Sequence, residues 1–167
     1  MPELPDVELY RERLLAMLTG QPLDELEIVS PFVLRTVTPS PTLLAGRVLR
    51  DVRRIGKRVA LGFDGDLWAV IHLMIAGRFK WRDAGRRPPA GHALARFRFP
   101  VGTLHLTEAG TTRRASLHLV EREASLAQFD RGGLEPLAAT PEAFVARLRS
   151  ENHTLKRALT DPRAFAG

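Results

Sequence analysis

The first residues of the chain bring together two groups that could do covalent chemistry. The sequence begins Met1-Pro2-Glu3, and a small second residue such as Pro2 permits removal of the initiator methionine. Removal would leave a secondary amine beside the Glu3 carboxylate. An N-terminal amine has a pKa of about 7.7–8.0, against about 10.4 for lysine, so part of it is unprotonated at neutral pH. Such an amine forms a Schiff base with a carbon at the aldehyde oxidation level, and Glu3 could protonate a leaving group or a sugar ring oxygen.

A second candidate group is Lys57, which follows Gly56 between a basic turn and an alternating segment. Beside a terminal amine and a polyanion, this lysine could donate a proton, contact phosphate, or do both. Both candidates also have plainer interpretations. A Met-Pro start commonly leads into a helix, and Lys57 is one of 25 lysine and arginine residues of a basic protein.

The element predicted to hold the terminus in place is an amphipathic helix over residues 5–19. Pro5 suits the first turn of a helix, where its missing N–H costs nothing, and Gly20 is a natural stop. The apolar residues that recur at helical spacing are Val7, Tyr10, Leu14 and Met17.

The following part of the chain favours strands. Runs of apolar or alternating residues with tight turns predict strands at 25–29, 59–63, 67–75, 78–82, 94–99, 103–106 and 116–120. The nearly continuous apolar run 67–75 is interpreted as a central buried strand, with His72 as a satisfied core histidine. Many short strands favour an antiparallel sandwich or barrel.

The last part of the chain favours helices. Thr140 is an N-cap for a helix over 141–149 with Phe144, Val145 and Leu148 facing inward, and a last helix is predicted over 154–159.

Composition limits the classes of partner and site. A length of 167 residues suits one domain, and a net charge of +6 with a sequence pI of about 10.9 favours a polyanion such as nucleic acid. No apolar run reaches the ~18–20 residues that span a bilayer, and the acidic N-terminus does not resemble a signal peptide. We therefore expect a cytoplasmic protein, in the bacterial cytoplasm or nucleoid. The sequence has no cysteine, which excludes disulfides and thiolate metal sites, and no metal site is predicted.

The opening Pro2-Glu3-Leu4-Pro5-Asp6-Val7-Glu8 closely resembles that of the formamidopyrimidine-DNA glycosylase/endonuclease VIII family, whose members are bifunctional base-excision repair enzymes. The usual family pattern is Pro-Glu-Leu-Pro-Glu-Val-Glu, so this chain departs from it at Asp6. The resemblance continues, in the same order, through residues 53–57, 71–77, 133–137 and 155–167. It therefore spans the whole chain.

The resemblance implies an α+β fold that is mainly β. An N-terminal helix would pack on a two-sheet antiparallel β-sandwich, and helices that begin a second, helix-two-turn-helix domain would follow. We expect a catalytic domain over 1–131, then a linker and the first helices of a truncated C-terminal DNA-binding domain over 132–167. Family members usually continue into a four-cysteine zinc finger, which is absent here. The chain is thus expected to be the N-terminal part of a longer protein, with a naturally short relative as the alternative, and no cofactor is expected in it.

The family reaction implies a monomer that acts on double-stranded DNA containing oxidised bases or abasic sites. A damaged nucleotide is flipped out of the duplex, and the Pro2 amine attacks C1′ as the base leaves, assisted by Glu3. The iminium acidifies the 2′ hydrogen, and β- and then δ-elimination cut the strand. Lys57 matches the family lysine assigned to the elimination step.

The resemblance also implies DNA contacts. His92 matches a DNA-contacting histidine, Arg113 matches an arginine that fills the hole left by the flipped base, and Arg114 and Lys156 are further candidates for contacts with DNA. From the residues alone, a solvated turn is the simpler interpretation of Arg113 and Arg114, and a plain loop residue is the simpler interpretation of His92. For Lys156, a helix-surface residue is an equally good interpretation.

The other two void-filling positions depart from the family. The methionine position aligns with Ile75, next to Met74, and the phenylalanine position holds Ala115. Because alanine cannot wedge between bases as an aromatic ring does, opposite-base specificity stays open.

Two other classes of function remain open at this stage. One is a DNA- or damage-binding protein of the same fold that has lost turnover, which the altered void-filling positions favour. The other is a different N-terminal-proline enzyme, such as a tautomerase that uses Pro2 as a base. Tautomerase subunits are much shorter, and that class leaves Lys57 and Arg113 unexplained.

Overall fold

A computed structural model describes residues 2–87, 93–110 and 112–167. A long helix, α1 (Leu4–Leu18), comes first, and two short helices, α2 (Pro141–Arg149) and α3 (Leu155–Thr160), come last. Short 3-10 helices span Pro31–Val33, Pro41–Leu44 and Glu123–Phe129. The strands are β1 (Glu25–Ile28), β2 (Leu49–Ile55), β3 (Arg58–Phe63), β4 (Leu67–His72), β5 (Gly77–Asp83), β6 (Ala93–Phe99), β7 (Gly102–Glu108) and β8 (Ser116–Glu121).

The strands form two four-stranded antiparallel sheets. The first sheet has the order β1-β6-β7-β5 and the second the order β2-β3-β4-β8. Inward-facing residues of both sheets share one apolar core, and α1 packs on it through Val7, Leu14 and Leu18. The predicted α+β fold, a helix on a two-sheet antiparallel sandwich, is confirmed.

The second sheet is covered on both faces, which the sequence pattern did not predict. The alternation of residues 59–63 predicts a strand with one wet face, yet Val59 to Phe63 are all buried. The reason is a second apolar cluster on the outer face, formed by Ala60, Trp68, Val70, Val120, Leu126 and Phe129. The 3-10 helix Glu123–Phe129 supplies the last two of these residues, so it acts as a lid on β3 and β4.

The apolar run predicted as one strand over 67–75 is divided. β4 ends at His72, and residues 74–76 form a turn in which Met74 has a φ of 56°. The turn is closed by the Gly77 N–H, which donates to the Leu73 carbonyl at 2.9 Å. A Cβ at position 77 would collide with that carbonyl oxygen, so glycine is required there. The prediction of strand up to Ile75 was wrong, because the chain must leave the second sheet at this point to enter the first.

The last part of the chain packs back on itself. Leu134 and Phe165 form a parallel bridge, with Leu134 N–H donating to Ala164 and Ala166 N–H donating to Leu134. The Phe144 ring of α2 lies 4.6 Å from the Phe165 ring. Val145, predicted to face inward, is exposed instead. The boundary between 1–131 and 132–167 stays a prediction.

None of the helices in the described ranges is both long and apolar enough to cross a membrane.

Candidate active site

The N-terminal residues are held by a reciprocal cap on α1. Glu3 is the N-cap residue in extended conformation, and its backbone N–H donates to Asp6 Oδ2 at 2.9 Å. A carboxylate in the first turn also suits the helix dipole. In the other half of this capping box the Glu3 side chain faces the backbone N–H of Asp6. Pro2 is buried immediately before Glu3.

The Glu3 carboxylate is directed to Lys57. Lys57 lies in the two-residue turn between β2 and β3, after Gly56, whose φ of 56° is the positive value that a tight hairpin turn needs at this position. Its Nζ lies 2.5 Å from Glu3 Oε2, and its side chain is only 11% exposed. The structure therefore brings Lys57 to Glu3, the residue that directly follows Pro2. Their catalytic roles remain a prediction.

A pocket of about 250 Å³ opens beside this pair and is called the Lys57 pocket here. It lies between the β2–β3 turn, the end of β4, the 3-10 helix at Phe129 and the last residues of the chain. Its wall includes Lys57, Arg58, His72, Phe129, Arg131 and Pro162. Three cations and an aromatic ring make this a chemically suitable wall for an anionic, ring-bearing ligand.

His72 is the residue of this pocket that the sequence analysis misplaced. It ends β4, is only half-buried and lines the Lys57 pocket, so it is not a core histidine. Burial, followed by the positive charges of Arg58 and Lys57, lowers the pKa of His72 to about 4. At neutral pH its imidazole is therefore uncharged and can act as hydrogen-bond donor or acceptor. Its position at the end of an apolar run was the only available signal.

Arg54 links α1 to the last part of the chain next to the site. Its side chain is 6% exposed and pairs with the carboxylates of Glu8 on α1 and Glu135, and it donates to the Ala166 carbonyl at 2.7 Å. Burial raises the pKa of Glu8, but hydrogen bonds from Arg11 and Arg54 outweigh it and hold that pKa below its usual value. Sequence reasoning missed Arg54 because nothing in its local pattern distinguishes it from the neighbouring arginines.

The segment that carries Arg113 is fixed by a buried carboxylate. Glu108, at the end of β7 and 2% exposed, accepts through Oε2 from the backbone N–H groups of Arg114 at 2.8 Å and Ala115 at 3.0 Å. Arg113 and Arg114 are exposed. Ala115 belongs to the core, so the position that the resemblance assigns to a wedging aromatic residue does not face the surface.

The void-filling candidates lie at the same edge as Arg113. His72 pairs with Ser116 across β4 and β8, so the turn at 73–76 and the segment ending at residue 115 leave neighbouring strand ends together. Met74 is half-buried and Ile75 is exposed on that turn. Close by, Phe32 is 82% exposed and lines a concavity of about 470 Å³ with Arg113. Sequence analysis did not single out Phe32, although an aromatic residue after Ser30-Pro31 in a loop was a usable signal.

The remaining predicted DNA contacts are Lys156 and His92. Lys156 is exposed on α3, while Thr160 at the other end of that helix lines the Lys57 pocket. His92 lies outside the described residues. Within the ranges that the structure describes, no group of three or more histidine, aspartate or glutamate residues could hold a metal ion.

Comparison with known proteins decides the family. The sequence pattern described as "Formamidopyrimidine-DNA glycosylase N-terminal domain" matches residues 1–167. The chain belongs to this family. The match extends over all the motifs quoted above, and the resemblance is confirmed.

Individual members of the glycosylase family are similar over the whole chain. It is 32% identical to the formamidopyrimidine-DNA glycosylase of Salinispora arenicola, covering 100% of this chain and 60% of the relative. It is 31% identical to that of Moorella thermoacetica, covering 100% and 62%. The chain thus spans about 60% of the length of these curated relatives.

A solved structure from the same family has the same fold. The wild-type Lactococcus lactis Fpg (MutM) in complex with DNA containing N7-benzyl-Fapy-dG matches with a TM-score of 0.83 and 25% sequence identity, over 99% of this chain and 62% of that chain. The region matched is therefore the N-terminal part of the longer enzyme fold.

Proposed function

We propose that this chain is the catalytic N-terminal region of a base-excision DNA glycosylase with abasic-site lyase activity. Its substrate would be double-stranded DNA that contains oxidised bases or abasic sites. The observation that carries the proposal is the Lys57–Glu3 ion pair, 2.5 Å long, directly after buried Pro2 and beside the Lys57 pocket. Membership of the glycosylase family and the DNA complex of the Lactococcus lactis relative support it.

The proposed chemistry begins once Met1 is removed. The Pro2 nitrogen forms a bond to C1′ of the flipped nucleotide, while the bond from C1′ to the base breaks and the base leaves with its electron pair. Glu3 supplies the proton that the leaving base or the ring oxygen needs. Because the nucleophile is the amine of the chain itself, the step requires no cofactor.

The nitrogen then loses its own proton, the ring oxygen is protonated and the C1′–O4′ bond breaks, which opens the sugar ring and leaves a C1′=N iminium. This iminium drives strand cleavage. It acidifies the 2′ hydrogen, whose removal expels the 3′ oxygen with its phosphate, and a second elimination expels the 5′ oxygen in the same way. Lys57 lies close enough to Glu3 to exchange a proton with it between these steps. The uncharged imidazole of His72 offers a hydrogen bond in the same pocket without repelling Lys57.

DNA contacts are proposed at the edge where Met74, Ile75 and Arg113 lie together. Arg113 and Arg114 would contact bases or phosphate, Lys156 and His92 are proposed as phosphate contacts, and Ile75 or Met74 would enter the space of the flipped base. All proposed catalytic groups come from one chain, so a monomer suffices. A chromosomal substrate puts the protein in the bacterial cytoplasm, with the nucleoid.

A second candidate function is recognition of damaged DNA without turnover. The burial of Ala115 favours it, because the aromatic wedge that the family uses is absent from that position. The two functions differ in whether a covalent intermediate forms.

Borohydride trapping on a duplex with a single abasic site tests the proposal. We expect a covalent adduct of protein and DNA when mass spectrometry confirms that the chain begins at Pro2. The matched control is the same protein with a short N-terminal extension that a protease can remove: the adduct should disappear with the extension and return after cleavage. Duplex binding without an adduct would favour damage recognition. If the chain showed no duplex binding and formed no adduct, both functions would be overturned for this chain.

A further inference from the structure

A basic concavity lies on the outer face of the first sheet, away from the Lys57 pocket. It measures about 320 Å³, and we call it the arginine pocket. Its polar lining consists of Arg82, Asp83, Arg86, Arg96, Arg98, Thr103 and His105. The one carboxylate among them, Asp83, accepts from Trp81 Nε1 at 2.8 Å. No residue of the arginine pocket lines the Lys57 pocket.

Strand register explains why these side chains meet. Arg96 on β6 is opposite His105 on β7, and Thr103 on β7 is opposite both Arg98 on β6 and Arg82 on β5. Side chains alternate between the two faces of a sheet. The neighbours of these residues, such as Phe97 and Leu104, therefore fill the core while the cations gather outside.

Only some of the arginines in the arginine pocket form ion pairs with nearby carboxylates. Glu27 pairs with Arg96 at 2.6 Å and with Arg98 at 2.5 Å. Arg82 donates to the Trp81 carbonyl at 2.9 Å, and within the described ranges neither Arg82 nor Arg86 has a salt-bridge partner. Two guanidinium groups at the pocket are thus available to an anion.

Two buried nitrogens of the pocket lack partners as well. Arg96 Nε and His105 Nδ1 are both buried without a hydrogen-bond partner among the described residues, and His105 is 3% exposed. Buried polar groups in proteins are almost always hydrogen-bonded. Arg96 Nε is a donor, and His105 Nδ1 is a donor in one of its tautomers, so both suit oxygen atoms of a ligand.

We propose that the arginine pocket binds a phosphate group. Guanidinium groups form paired, charge-assisted hydrogen bonds to phosphate oxygens, which suits a pocket built from four arginines. The phosphate could belong to a nucleic-acid backbone or be free inorganic phosphate. Arg96 also lines the concavity that contains Phe32 and Arg113, so the arginine pocket shares one side chain with the edge proposed to contact DNA.

Inorganic phosphate is the probe for the site. We expect saturable binding to the full chain by calorimetry, with a shift of the His105 ring signals in NMR spectra. The double variant Arg82→Gln/Arg86→Gln should bind at least about tenfold more weakly, since it removes two charge-assisted contacts. The charge-matched control is Arg13→Gln/Arg149→Gln, which changes two exposed arginines outside the pocket. Absent binding, an unmoved His105, or equal affinity in the two double variants would overturn the proposal.

A second measurement identifies the source of the phosphate. Duplex affinity is measured over a range of salt concentrations for both double variants. If a DNA phosphate occupies the pocket, the slope of log affinity against log salt should fall by about one unit in Arg82→Gln/Arg86→Gln relative to the control. An equal slope, combined with lost phosphate binding, would assign the site to free phosphate. Trapping of the abasic duplex at low salt reports separately on the proposed activity.

Discussion

Lys57 and Glu3 form an ion pair at 2.5 Å although one lies in a hairpin turn and the other caps a helix. The pair ties the start of α1 to the β2–β3 turn of the second sheet, and its carboxylate belongs to the residue that directly follows Pro2. In the proposed reaction, this carboxylate and the ammonium group are the two groups that hold and supply protons.

Replacing Lys57 tests this relationship. Lys57→Gln removes the charge and should reduce the rate of strand cleavage on abasic DNA by about 100-fold, within the range for loss of an acid–base group. Lys57→Arg keeps the charge and should retain duplex binding. Single-turnover cleavage and duplex affinity are the measurements. Cleavage by Lys57→Gln at the original rate would show that the lysine has no part in the reaction.

Adjacent arginines provide a matched pair for stability. Arg54→Gln removes the cation that pairs with Glu8 and Glu135. It should lower the free energy of unfolding by about 2–3 kcal/mol. This loss is smaller than for fully buried pairs because both carboxylates are partly exposed. Arg53→Gln breaks exposed pairs with Asp51 and Glu123 and should cost under about 1 kcal/mol. Urea unfolding measures both.

Hydrogen exchange locates the effect of Arg54. Its contacts join α1 to the end of the chain, so the amides of Leu134 and Ala166 should exchange faster in Arg54→Gln than in Arg53→Gln. Equal protection in the two variants would contradict the role of Arg54 as a clamp.

His72 predicts a loss of stability in mild acid. Its folded pKa of about 4 lies below the usual value of about 6.5, so the unfolded chain takes up a proton first as the pH falls. The stabilisation is complete above about pH 6.5 and is lost progressively towards pH 4.

For His72, this loss should amount to about 1–2 kcal/mol between about pH 7 and pH 5, allowing for its partial exposure. The measurement is urea unfolding of wild type and His72→Gln at both pH values. Other acid-sensitive groups are the same in the two proteins, so the difference between them isolates His72. An identical pH dependence in the two proteins would contradict a half-buried, uncharged imidazole at His72.

Two substitutions of Glu108 separate the contribution of its charge to stability from the contribution of its hydrogen-bond acceptor. Glu108→Gln keeps an oxygen acceptor for the Arg114 and Ala115 N–H groups, whereas Glu108→Ala removes it. We expect a loss of about 1 kcal/mol in the first variant and about 3 kcal/mol in the second. The partly buried Arg114 N–H and the buried Ala115 N–H lose a charged partner in the first and every partner in the second. Duplex affinity should follow the same order, since the segment positions Arg113. An affinity that is insensitive to Glu108→Ala would remove Arg113 from the proposed contacts.

Local physical rules account for what could be predicted from the sequence. Helical spacing and a first-turn proline predicted α1 to within a residue, and alternation with turn residues predicted most strands. The N-terminal motif predicted Pro2 and Glu3 as site residues, and the family match at residues 53–57 added Lys57. These features depend on residues close together in the chain or on a family pattern that retains their order.

Tertiary structure decided the rest, because it depends on which distant segments meet. The 3-10 helix at residues 123–129 covers β3 and β4, so alternation could not show that both faces are buried. His72 lines a pocket because β4 ends where the chain crosses to the other sheet. Arg54 links distant segments because Glu8 and Glu135, which are far apart in the chain, both pair with it. The arginine pocket likewise depends on the register of three strands, which periodicity alone does not determine.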